Sequence, residues 1–248
     1  MASTQPKPYL REAKFPQDFG EILEVSRRAF QTDPPFLFCS NVTEVPETRL
    51  LKEEDNKRLL IFLTFFLRCC VDIKARITVV VYPEEGGKEK IAAAACWMPP
   101  KKRIASYQVG RLIRGGFTGL LKAWGPTGIR RMTTQYTDIA HKSLQKVLKK
   151  RVDDTWYLNM VMTHPDYQGR GCLSMIVREQ FKFAPEATYC LEASTPKSRD
   201  QYAHFGFEVH GAFTLGKGKV GADGLPAKGA AAIGMEISPM IKRPSSSK

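Results

Sequence analysis

Thr163-His164-Pro165-Asp166-Tyr167-Gln168-Gly169-Arg170-Gly171-Cys172-Leu173-Ser174 follows a strand-like run, Trp156 to Met162, and opens a helix-like run, Leu173 to Phe183. A strand that ends in a Gly-rich turn and feeds a helix leaves several backbone N–H groups pointing at one spot. The helix dipole adds partial positive charge there. Glycines let a diphosphate approach the main chain, where side chains would stand in the way. The stretch therefore implies a site for a phosphate-bearing ligand. It is not a P-loop, because no Lys-Ser or Lys-Thr follows Gly171. The dinucleotide fingerprint fails as well, since it would need glycine where Ser174 stands.

The stretch resembles the coenzyme A loop of the GNAT superfamily of acetyl-CoA-dependent acetyltransferases, Gln/Arg-x-x-Gly-x-Gly/Ala. Gln168, Gly169, Arg170, Gly171 and Cys172 fit, whereas Leu173 stands where a small residue is usual and marks the place to look for an altered loop. Other pieces lie in family order around it. Upstream, Ile91 to Pro100 (IAAAACWMPP) is similar to the Trp-x-x-Pro strand of puromycin-N-acetyltransferase-like members. Downstream, Leu191-Glu192-Ala193-Ser194 looks like that branch's Leu-Glu-x-Ser strand, and Tyr202 to Phe207 like its Tyr-x-x-x-Gly-Phe block. The resemblance is firm from about residue 76 to 237 and weak elsewhere.

Composition bounds the rest. A chain of 248 residues can bury a substantial core, and 43% hydrophobic with 25% charged residues is ordinary for a globular protein. The first residues lack a basic-then-apolar signal, and the longest apolar run, Leu59 to Leu67, is too short to span a bilayer. Six cysteines show no C-x-x-C spacing and no clustering with histidine, which fits reduced thiols in a cytoplasmic protein, with nuclear residence also open, and suggests no metal. The net charge is +13, and residues 101–151 alone carry thirteen Lys or Arg against one acid, Asp138. Such a surface attracts anions, coenzyme A among them, or simply keeps the helices solvated. No aromatic-basic interleaving speaks for nucleic acid.

The pattern along the chain predicts one α/β domain over 1–248, with a basic helical insertion at about 101–151 and a flexible tail at about 239–248. Helical spacing covers Pro16 to Phe30, Pro34-Pro35 breaks the chain, and Glu47 to Val71 reads as a long helix. Arg76 to Tyr82 and Ile91 to Met98 form a hairpin, and further strands are expected at Trp156–Met162, Thr188–Ser194, Phe207–Leu215 and Ala230–Ile237. The resemblance implies a GNAT-like mixed, mostly antiparallel central sheet with flanking helices and a splayed parallel pair, here Trp156–Met162 and Thr188–Ser194.

Acetyl transfer to an amine needs a held thioester, a neutral amine, a stabilised oxyanion and a proton for the departing thiolate. The resemblance assigns the diphosphate to Gln168, Gly169, Arg170, Gly171, Cys172, Leu173 and Ser174, and the pantetheine arm to the backbone of Met160, Val161 and Met162. As side chains, the two methionines read as core. Tyr202 matches the family's general acid; its bland alternative is a packing tyrosine. Glu192 interrupts an apolar strand and is the first choice for a base, although such an acid can equally face solvent or orient the substrate. Asn159 also interrupts a buried-looking strand, to orient amine or water or to make a structural hydrogen bond. A covalent route through Cys172 or Cys190 is a weaker possibility, with no histidine-plus-acid partner to support it.

The expected reaction is transfer from acetyl-CoA to an amine of a small molecule, a toxin or secondary metabolite among the options, by direct attack in a ternary complex. Rival readings are a protein N-acetyltransferase and a non-catalytic acetyl-CoA sensor or scaffold. The acceptor and the oligomeric state are not legible.

Overall fold

Alanines at positions 92–95 are fully buried in the middle of the sheet, where helices cover both faces. Their strand, β3 (Glu89–Met98), pairs antiparallel with β2 (Arg76–Pro83) and β4 (Trp156–Thr163). Small side chains let α1 (Phe19–Ala29) approach one face while α7 (Cys172–Phe183) packs on the other. The computed structural model describes residues 7–244. Its eight-stranded sheet runs β1-β2-β3-β4-β5-β8-β6, with β7 paired to β8. The flanking strands are β1 (Tyr9–Glu12), β5 (Tyr189–Ala193), β6 (Glu208–Val209), β7 (Phe213–Leu215) and β8 (Met235–Lys242).

Every pairing is antiparallel except that of β4 with β5. That parallel ladder is short, joining Trp156 to Tyr189 and Tyr157 to Cys190 before the strands diverge. This is the splayed pair expected from the sequence, in a mixed, mostly antiparallel α/β sheet.

One face is filled by α1, α2 (Pro34–Cys39), α3 (Glu53–Asp72) and the insertion. Glu53, Glu54 and Asp55 favour the positive end of α3. The second face is closed by α7 and α8 (Pro196–His204), with Trp97 edge-on to Tyr189 at 5.8 Å between ring centroids. The insertion forms α4 (Val109–Gly115), α5 (Phe117–Arg130), a π-helical stretch at Arg131–Thr137 and α6 (Asp138–Leu148). Its apolar side is part of the core. Trp124 stacks on Phe62 at 4.9 Å, and Leu144 and Leu148 pack against Cys190 and Ile241.

Four expectations are corrected. Pro34 and Pro35 start a helix instead of only breaking the chain; they occupy its first turn, where no backbone N–H is needed. The long helix begins at Glu53, not Glu47. The run Phe207–Leu215 is divided into β6 and β7 around Gly211, whose φ of 77° turns the chain. Finally, Ala230–Ile237 is a strand only from Met235, and residues 239–242, expected in a flexible tail, complete β8 beside β5. The final residues of that expected tail, 245–248, lie outside the described residues. No helix among the described residues is long and apolar enough to cross a membrane.

Candidate active site

The splay of β4 from β5 opens a cleft, and the sequence places polar side chains at that spot. On β5 the side chains alternate: Tyr189, Leu191 and Ala193 enter the second-face core, whereas Cys190 and Glu192 face the insertion. Tyr157 of β4 donates a hydrogen bond to Glu192 Oε2. Burial pushes the Glu192 carboxyl up to about 7, against the Tyr157 hydrogen bond and the Arg103 guanidinium, which both favour the ionised form. Glu192 nevertheless remains half-buried, so it borders a cleft and is not sealed in the core.

Tyr202 on α8 is 9% exposed, and among the described residues its hydroxyl has no hydrogen-bond partner. Burial holds its phenol above the usual tyrosine range. Two tyrosines that the sequence did not single out complete this wall. Tyr157 bonds Glu192, and Tyr136 comes from the π-helical stretch of the insertion. Burial raises the Tyr136 pKa, with Glu192, Asp33, Cys39 and Tyr202 all near enough to add to it. A second carboxylate was missed as well. Asp33 caps α2 by accepting from Phe36 N–H at 3.0 Å, and its Oδ2 accepts from Ser194 Oγ at 3.4 Å. Burial raises it to about 6. The signal was present, since Asp followed by Pro-Pro is a helix start.

At the other end of β4, the Gly-rich turn behaves as its composition implies. Gly169 and Gly171 have φ of 76° and 80°, in the left-handed region that favours glycine. Neither would meet a neighbour within 4 Å if it carried a Cβ, so open space lies over both. Met175 N–H is the first in the helix to find an acceptor, Gly171 O. Among the described residues, the amides of Gly169 to Ser174 donate to no protein group. A run of free amides at a helix N-terminus fits a diphosphate.

The individual loop residues are now placed. Gln168 and Arg170 are exposed, and the Arg170 guanidinium lies 5.1 Å from the centre of the Tyr167 ring. Leu173 is half-buried against the second-face core, so its bulk points away from the turn. Ser174 Oγ accepts from Arg178 Nε at 3.0 Å, which leaves its own hydrogen free to donate. Cys172 is buried, and burial raises its thiol pKa. Cys190 is pushed up to about 12. Neither thiol is activated, which removes the structural basis for the covalent route. All six cysteines are free and buried.

On β4, Met160 and Met162 are buried in the first-face core, and Val161 packs towards the second. Asn159 is the extra residue of a β-bulge, because Cys96 pairs with Met160 and Trp97 with Leu158. Its side chain is half-buried and makes no hydrogen bond among the described residues. Beyond Tyr157, β4 has no ladder with β5, so the edge from Leu158 to Thr163 faces the opening. His164 accepts from Asp166 N–H at the turn, and His204 is exposed; neither joins the Glu192 cleft.

A parallel pair splayed at a bulge, with an amide-rich turn at one end, distinguishes this sheet. The fold is that of the GNAT acetyltransferases. Residues 141–210 match the acetyltransferase (GNAT) domain family. An uncharacterized N-acetyltransferase of Schizosaccharomyces pombe is 28% identical over 118 residues, covering 47% of this chain and 47% of that protein. The match thus spans about half of the relative's length. Histone acetyltransferase HPA2 and related acetyltransferase from Corynebacterium glutamicum superposes with a TM-score of 0.57 at 19% identity, over 97% of this chain and 98% of that one. Arylalkylamine N-acetyltransferase 2 from Aedes aegypti gives a TM-score of 0.58 at 12% identity, covering 97% and 100%. In this fold, the Gly169–Ser174 turn and the Tyr157–Glu192 pair lie at the two ends of the same open edge of β4.

Proposed function

We propose that the chain is an acetyl-CoA-dependent N-acetyltransferase that acetylates an amine of a small molecule by direct attack in a ternary complex. The observation that carries this reading is a carboxylate raised to about 7 beside the end of the β4–β5 ladder, at the opposite end of the open β4 edge from a turn of free amides. The free amides of Gly169 to Ser174 would hold the diphosphate, with Ser174 Oγ–H as a further donor. The open edge at Met160, Val161 and Met162 would take the pantetheine arm and orient the thioester carbonyl.

Glu192 then serves as the base. Near pH 7 it is close to half ionised, so it can accept the proton that the amine sheds as the nitrogen bonds to the acetyl carbon. The carbon–sulfur bond breaks next. Tyr202, whose proton is held tightly by burial, gives it to the departing thiolate. Asn159, on its bulge with a free amide group, would orient the amine or a water. The Trp97 strand, Glu192 and the Tyr202–Phe207 block support the puromycin-N-acetyltransferase-like branch within the superfamily.

Calorimetric titration with acetyl-CoA, followed by a thiol-release assay over a panel of small amines, tests the proposal. Saturable binding and amine-dependent thiol release are expected. Absence of acetyl-CoA binding overturns the proposal, and binding without release for every amine favours a sensor.

A further inference from the structure

Two carboxylates, not one, line the cleft. Glu192 is the penultimate residue of β5, and Ser194 follows the strand's last residue, Ala193. Asp33 reaches this end of β5 from α2, where its Oδ2 accepts from Ser194 Oγ at 3.4 Å. Tyr136 lies within electrostatic reach of both carboxylates and of Tyr202. The Tyr202 phenol is nine-tenths buried and unpartnered among the described residues, within electrostatic reach of Tyr136. A half-buried carboxylate with no protein cation acting on it among the described residues, Asp33, beside the Glu192 end of β5, is the lining of a ligand site.

Arg103 favours the ionised form of Glu192, whereas no protein cation among the described residues acts on Asp33. Arg103 spends its guanidinium on Pro99 O at 3.1 Å and Thr155 O at 2.8 Å. Arg131 donates to Phe38 O at 2.7 Å and lies over the Phe38 ring. These two guanidiniums are held by backbone carbonyls.

We propose that Asp33, fixed by Ser194 and by the first turn of α2, holds a second cationic group of the acceptor, so that the cleft selects amines with two positive centres. The inference rests on the acetyltransferase reading for the role of Glu192. Binding of such an amine nevertheless stands apart from turnover. The charged pair is worth about tenfold or more in affinity when formed away from bulk water.

The test is calorimetric titration at pH 8 with 1,4-diaminobutane and with 1-aminobutane, each in the absence and presence of coenzyme A. The wild-type chain should bind the diamine about tenfold more tightly. In Asp33→Asn that preference should vanish while 1-aminobutane binds unchanged. Asparagine keeps the acceptor for Phe36 N–H, so α2 remains capped. Thermal unfolding of Asp33→Asn within a degree or so of wild type would show that capping is intact. Equal wild-type binding of the two amines overturns the inference, as does a diamine preference that survives Asp33→Asn, which would leave Asp33 as a helix cap alone. A preference abolished by Asp33→Asn in a chain that never releases thiol would uphold this inference while the transfer chemistry fails.

Discussion

Tyr157 donates its phenolic proton to Glu192 across β4 and β5, beside the residue pair where their parallel ladder ends. The hydrogen bond fixes the carboxylate at the mouth of the splay without silencing it, because burial outweighs the bond and leaves the carboxyl at about 7. Only the ionised form can act as a base. The kcat/KM of the wild-type enzyme should therefore rise with pH along a limb centred near 7. Glu192→Gln should lower it by about 10²-fold to 10³-fold at pH 8 and flatten that limb. A pH–rate profile of both proteins checks this, and a Gln variant that keeps the limb would move the base elsewhere.

The same carboxylate has a cost in stability. A carboxyl group raised from 4.5 to about 7 in the folded state binds its proton more tightly folded than unfolded. Stability is therefore lost as pH rises from about 4.5 towards 7, to a ceiling of about 3 kcal/mol. Glutamine imitates the neutral acid and can still accept the Tyr157 hydrogen bond. Glu192→Gln should match the wild type at pH 5 and exceed it by about 1 to 2 kcal/mol at pH 8, since wetting of the cleft trims the ceiling. Denaturant unfolding at the two pH values decides the point.

Tyr202 offers a cleaner separation of binding from chemistry. Its ring packs edge-on to Phe207 at 6.0 Å, whereas its hydroxyl bonds nothing among the described residues. Tyr202→Phe therefore keeps the packing and removes only the proton. A fall of about 10²-fold in kcat is expected, with the acetyl-CoA dissociation constant within twofold of wild type. Single-turnover kinetics alongside calorimetry read the two quantities. Unchanged turnover would reduce Tyr202 to a packing residue.

Local periodicity made the β2–β3 hairpin, β4, β5 and α7 legible, because each pairs or packs mainly with sequence neighbours or carries a motif. Residues whose role depends on distant partners were not. Asp33 meets Ser194 across 161 positions, and Tyr136 reaches the cleft because the insertion folds back over β5. The Pro-Pro pair was read as a break since its helix is a single short turn-and-a-half whose hydrophobic residues, Phe36, Leu37 and Phe38, are all buried and show no stripe. Leu173 looked like a defect in the turn for the opposite reason: the sequence shows its size but not that its side chain leans into the second-face core.

Gly171 tests the turn itself. Its φ of 80° costs an L-residue about 1 to 2 kcal/mol, yet an added methyl group would meet no protein atom within 4 Å. Any loss in Gly171→Ala therefore comes from the backbone and from the space above it. Destabilisation by about 1 kcal/mol is expected, small enough for a folded protein. If the free amides of Gly169 to Ser174 grip the diphosphate, the methyl group and the shifted backbone should weaken acetyl-CoA binding by at least about tenfold. Dephosphorylated pantetheine thioesters, which lack the diphosphate, should lose almost nothing. Equal losses for both ligands would place the diphosphate away from this turn.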